Sequence, residues 1–91
     1  MKLIVAASMK DAKFVKFEDL IKKNMGSDTE VVKCNVITDN FEELIETEKP
    51  DVIVKVGVKV PDTDVPVVDG LALNYPQMGA KKLWAALEQY K

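Results

Sequence analysis

Between Ala7 and Lys13 the chain reads Ala-Ser-Met-Lys-Asp-Ala-Lys, which sets a hydroxyl (Ser8), two ammonium groups (Lys10, Lys13) and a carboxylate (Asp11) directly after the apolar run Leu3 to Ala6. Where a strand turns into a helix, main-chain amides and the positive end of the helix dipole converge, so the segment from Ser8 and Met9 through Lys13 suits an oxyanion such as phosphate. Ser8 is either an anion-binding hydroxyl or the cap of the following helix. Asp11 is the other candidate cap, and in that role its carboxylate occupies the place an anion would take. Lys10 and Lys13 either clamp a phosphate oxygen or form a solvated first turn. A second cationic pair, Lys55 and Lys59, faces a ligand, a partner's acidic surface or water.

Much other chemistry is excluded by composition. The chain has no histidine and a single cysteine, Cys34, so it lacks a zinc-ligand cluster, an internal disulfide and any Ser/His or Cys/His pair. No metal or cofactor is expected. Cys34 falls inside an apolar stretch and reads as core packing rather than as a nucleophile. Lysines are interspersed with acids at a net charge of −2, which gives no basic field for a nucleic-acid backbone. The opening hydrophobic run is far shorter than the roughly 18 residues that span a bilayer and shorter than a signal-peptide core. The expectation is a cytoplasmic chain without direct membrane insertion. At 91 residues, 47% hydrophobic and 31% charged, residues 1–91 are expected to form one domain with one modest core.

The elements that must position these groups follow from periodicity. Strand-length apolar runs alternate with helical patterns, the signature of βαβ units. A strand at Lys2 to Ala6 leads to a helix from Ala12 to about Asn24, whose Phe14, Phe17, Leu20, Ile21 and Met25 form one stripe. Gly26 ends it. Glu30 to Ile37 is the second strand, and Asp39 with Glu42 suits a capping box for a short helix, Asn40 to Glu48, stopped by Pro50. A third strand follows at Asp51 to Val56, and a fourth at Val65 to Val68, where Pro66 suits an edge. Leu71 to Gly79 is irregular, and the last helix runs from Ala80 to about Tyr90 with Leu83, Trp84, Leu87 and Tyr90 inward. Short connections and right-handed crossovers predict a three-layer α/β/α domain, Rossmann-like, with a four-stranded parallel sheet of order 2-1-3-4. The loop from Ala7 to Asp11 then lies at the switch point.

Asp64-Val65-Pro66-Val67-Val68-Asp69-Gly70 resembles the fourth-strand motif of the enzyme IIB subunits of the bacterial sugar phosphotransferase system, galactitol type within the galactitol/lactose IIB superfamily. Val32-Lys33-Cys34-Asn35-Val36 is similar to that family's second strand, which often carries a non-catalytic cysteine, and the closing helix has the expected length and distance from Gly70. The resemblance spans nearly the whole chain. It implies a transferase of sugar transport: a histidine of enzyme IIA passes its phosphoryl group to a cysteine at the end of strand one, which phosphorylates a sugar held by the membrane enzyme IIC. The residue aligned with that cysteine is Ala7, and the family's Gly/Ser/Thr-rich loop is replaced by Ser8, Met9, Lys10, Asp11 and Lys13.

Alanine accepts no phosphoryl group, Met9 is bulky, and Asp11 repels a dianion. Loss of transfer by divergence, deliberate alteration, and an alignment shifted by one so that Ser8 is the acceptor are three accounts of this departure. No histidine is present to activate Ser8. The resemblance thus implies a IIB-type subunit with enzymes IIA and IIC as partners, contacted through Lys55, Lys59 and Tyr75 as well as the first loop. The alternatives are a non-catalytic interaction or regulatory module, contacting its partner at Met9 to Lys13, Lys55 to Lys59 and Asn74 to Met78, and an artificial scaffold that keeps the fold.

Overall fold

Leu3 to Ala7 are each at most 1% exposed. A strand loses solvent at every residue only when both its faces are covered and both its edges are paired. β1 (Lys2–Ala7) meets these conditions by pairing in parallel with β2 (Glu30–Asn35) on one side and β3 (Val52–Val56) on the other. β4 (Val67–Asp69) adds beyond β3 and completes a four-stranded parallel sheet of order β2-β1-β3-β4. The computed structural model describes residues 1–74 and 79–90. Over them the chain is an α/β fold of Rossmann-like winding with three α-helices.

Right-handed crossovers that step first to β2 and then back across to β3 must use opposite faces of the sheet. Accordingly α1 (Asp11–Met25) and α3 (Ala80–Glu88) cover the face of Leu3, Val5 and Ala7, where Phe14, Phe17, Ile21 and Leu87 complete the larger core. α2 (Phe41–Glu48) covers the other face, closing Phe41 over Ile4, Ala6, Cys34 and Ile53. The connection from β3 to β4 has no helix, and Val58, Val60 and Val65 pack on the α2 face in its place. Cys34 is fully buried, as its place in an apolar strand predicts. Trp84 and Tyr90 lie partly buried against the larger core, although α3 ends at Glu88.

Several local expectations are corrected. Neither Ser8 nor Asp11 caps α1, because Lys10 holds the cap position and its side chain makes no capping bond. The cap of α2 is Asn40 rather than Asp39: Asn40 Oδ1 accepts the Glu43 amide at 3.1 Å, whereas Asp39 Oδ2 accepts the Asn35 amide at 2.9 Å. That bond, with the Ile37 amide donating to Asn35 Oδ1 at 3.1 Å, turns the chain and ends β2 at Asn35 instead of Ile37. β4 begins at Val67 because Pro66 has no amide to give, although its carbonyl accepts the Ile53 amide at 2.8 Å. The first part of the stretch from Leu71 to Gly79 is a short 3-10 helix, Leu71–Asn74.

Gly70 closes the motif after β4 for a steric reason. Its amide donates to Lys55 O at 2.6 Å, and a Cβ there would collide with Val54 Cγ1 and stand 3.3 Å from both Lys55 O and Val56 Cγ2. β3 side chains already fill that space. Gly70→Ala is expected to lower the unfolding free energy by about 1–3 kcal/mol, the usual cost of overpacking a filled core, read from the midpoint of urea unfolding followed by circular dichroism.

Candidate functional site

The carboxyl ends of β1 and β3 and the turn after β2 meet at one end of the sheet. Ala7 stands in register between Asn35 and Val56, and its carbonyl accepts the Val36 amide at 3.0 Å. Its methyl group belongs to the α1-side core and is 1% exposed. Ser8, immediately after it, is exposed. Met9 is half-buried against the same core, and its carbonyl accepts Asn35 Nδ2 at 3.3 Å. Lys10 then turns the chain into α1, its carbonyl accepting the amides of Lys13 at 3.0 Å and Phe14 at 3.3 Å.

The first amides of any helix lack intrahelical acceptors, and a helix without a side-chain cap presents them to whatever lies in front. Here the natural occupant would be Asp11, but Lys33 draws it away: Lys33 Nζ and Asp11 Oδ1 are 2.8 Å apart. Lys33 reaches it because Val5 is its register partner on β1, which places both on the α1 face. The hydrogen bond to Asp11, followed by its charge, raises the Lys33 pKa above the ordinary lysine range. Lys10 and Lys13 are exposed beside this opening. Lys10 and Lys13 give the opening positive charge, Ser8 has no histidine beside it, and Ala7 carries no nucleophile.

Lys55 and Lys59 belong to a different cleft. Lys55 pairs in register with Ala6 and Asp69, which puts its half-buried side chain on the α2 face rather than the α1 face. With Lys59, Gly57, Val58, Asp69 and Leu71 it lines a space of about 250 Å³. The chain thus brings Ser8, Met9, Lys10, Asp11 and Lys13 together and leaves the second cationic pair on its own. Tyr75 lies outside the described residues, as do the other residues of the stretch through Met78.

Asn35 is the organising residue that the sequence reading passed over by carrying β2 on to Ile37. It ties the loop after β1 to the turn before α2 through Met9, Ile37 and Asp39. The signal is Asn35 itself, since an asparagine side chain accepting the amide two residues on, here that of Ile37, mimics a backbone turn. Cys34 stands on the opposite face of β2, and its burial pushes the thiol pKa up, with the Asp39 charge adding to the effect. Among the described residues no cluster of acidic, cysteine or histidine side chains is arranged to hold a metal, and no helix is long and apolar enough to cross a membrane. Comparison of the chain with protein-family models, curated proteins and solved structures finds no match.

Two outcomes follow from this geometry. Asn35→Ala removes the side-chain bonds to Met9 and Ile37 and is expected to cost about 1–2 kcal/mol in urea unfolding, with faster amide exchange confined to the loops after β1 and β2. The raised Cys34 pKa means that the folded state holds the thiol proton more tightly than the unfolded state. Its contribution to stability is therefore complete below the ordinary thiol range and is lost as pH rises from that range through the folded-state value. The fall in urea midpoint on going from neutral to alkaline pH is expected to be smaller in Cys34→Ala, and native Cys34 should resist iodoacetamide until the chain unfolds.

Proposed function

We propose that this chain is a IIB-type domain of a bacterial sugar phosphotransferase system, of the galactitol kind, that docks with its enzyme IIA and with the membrane enzyme IIC without itself carrying the phosphoryl group. The observation that carries the reading is the opening at the start of α1: Lys10 and Lys13 exposed, no side-chain cap, and Asp11 held to Lys33. Such an opening favours a phosphorylated partner by charge. The resemblance through Asp64 to Gly70 and the strand order are consistent with it.

Relay of a phosphoryl group needs an in-line nucleophile, and the position aligned with the family's cysteine holds the methyl group of Ala7. The Cys34 thiol is fully buried on the other side of β2. Ser8 is exposed but carries a hydroxyl that stays protonated near neutral pH without a base. In this reading Lys10 and Lys13 orient the phosphohistidine of enzyme IIA at the sheet end, and the cytoplasmic domain acts by occupying that partner.

Intact-mass spectrometry after incubation with phosphoenolpyruvate, the general phosphotransferase proteins and a galactitol-type enzyme IIA is expected to show no added phosphoryl mass. Isothermal titration with the phosphorylated enzyme IIA is expected to show binding, weakened about tenfold or more by the double charge reversal Lys10→Glu with Lys13→Glu. A gain of phosphoryl mass overturns the non-carrier reading, with Ser8 then mapped before Cys34. Absence of binding overturns the docking reading.

A further inference from the structure

β2 closes one side of the sheet, and no described strand lies beyond it. The Glu30 amide donates to Met1 O and the Val36 amide to Ala7 O. With a strand period of two, the amides and carbonyls of Val31, Lys33 and Asn35 therefore point away from β1. Asp39 takes the Asn35 amide at 2.9 Å. Val31 and Lys33 are left as an open main-chain template of the kind that accepts a further strand.

A groove flanks this template on each face. The α1-side groove, about 140 Å³, is walled by Phe14, Val15 and Val31 together with Asp11, Glu18 and Lys33. Its charges are internally matched, Asp11 to Lys33 at 2.8 Å and Glu18 to Lys22 at 3.3 Å, so what it offers is apolar surface, including Val15 at 58% exposure. The α2-side groove, about 340 Å³, is walled by Asn40, Leu44 and Thr47 and by the carboxylates of Asp39 and Glu43. Lys33 borders it too; its ammonium bonds Asp11 on the other face while its charge also reaches Asp39, so two carboxylates of the groove face one shared lysine. The α2-side groove is therefore acidic.

We propose that the β2 edge binds an extended segment of a partner protein as a fifth strand, with apolar side chains entering the α1-side groove and alternating Lys or Arg side chains entering the α2-side groove. Main-chain bonds to Val31 and Lys33 supply affinity, and the two unlike grooves supply specificity through the alternation of an added strand. A second copy of β2 does not meet this pattern: paired antiparallel it brings Glu30, Val32 and Cys34 to the α2 side, with no cation, and paired in parallel its one cation there, Lys33, is already held by Asp11. The inference does not depend on the phosphotransferase reading.

The test is a titration of the 15N-labelled chain with an acetylated, amidated peptide of three Val-Lys repeats, read by NMR. Saturation is expected to slow hydrogen exchange at the Val31 and Lys33 amides at least tenfold, and a Val-Glu peptide is expected to bind at least tenfold more weakly. Glu43→Gln should weaken the Val-Lys peptide several-fold. Val31→Pro removes one outward amide without touching the β1 ladder and should abolish binding while circular dichroism shows the fold retained; if that variant does not fold, Glu43→Gln decides. Unchanged exchange at Val31 and Lys33, equal binding of the Val-Glu peptide, or protection that grows with protein concentration in the absence of peptide each overturns the proposal, the last by assigning the edge to a second copy.

Discussion

The rest of this structure depends on the burial of Leu3 to Ala7 in β1. A run of five residues without solvent cannot be satisfied by one covering layer, so the chain must supply apolar surface from both sides. α1 and α3 do so on one face, and α2 with the helix-free connection before β4 on the other. The same demand places β1 centrally, because its main-chain groups need partners on both edges. The end of β1 then becomes the point where the chain leaves in opposite directions, and the loop from Ser8 to Lys10 is held there as a consequence of core formation.

The two ends of the sheet are organised differently. At the amino end, Lys2 Nζ approaches Glu48 at 2.8 Å and Glu30 at 3.7 Å, while the Lys2 amide donates to Asp51 Oδ2 at 2.8 Å and the Asp51 amide to Lys2 O at 2.7 Å. Charges there close on one another across the starts of β1, β2 and β3. At the carboxyl end the bonds are mostly made by Asn35 and Asp39 to main chain. Lys10 and Lys13 are left to solvent beside an uncapped helix start. Exposed ion pairs contribute little to stability, but Asp11 with Lys33 matters for another reason: it sets where a carboxylate is not. The pair holds the Lys33 ammonium at Asp11, so the α2-side groove sets the two carboxylates of Asp39 and Glu43 against only the shared charge of that one lysine.

Legibility from sequence differed by the range of the interaction. The stripe of Phe14, Phe17, Ile21 and Met25 announced a helix by its period, and the unbroken apolar run Leu3 to Ala6 announced a strand covered on both faces, because both signals act over a few residues. Gly26 and Pro50 marked helix ends by local backbone geometry. Caps were less legible. Asp39 and Asn40 are adjacent and chemically similar, and which of them caps α2 was settled by the Asn35 amide, whose direction is set by pairing with β1. The end of β2 was misplaced for the same reason.

From its sequence alone the chain was committed to alternating strands and helices, to a sheet of order 2-1-3-4, to a buried Cys34 and to a first loop without a nucleophile at Ala7. The elements and the buried Cys34 follow from side-chain polarity and period, which each residue carries with it, and the strand order follows from short connections and the right-handedness of crossovers. Only the tertiary structure decided that Asp11 turns to Lys33, that Asn35 joins two loops, that Gly70 has no room for a Cβ, and that Lys55 emerges on the face opposite α1. Each of these is a relation between residues that are distant in sequence. Strand register sets the direction of a side chain and the distance to its neighbour, and register exists only once the sheet has formed.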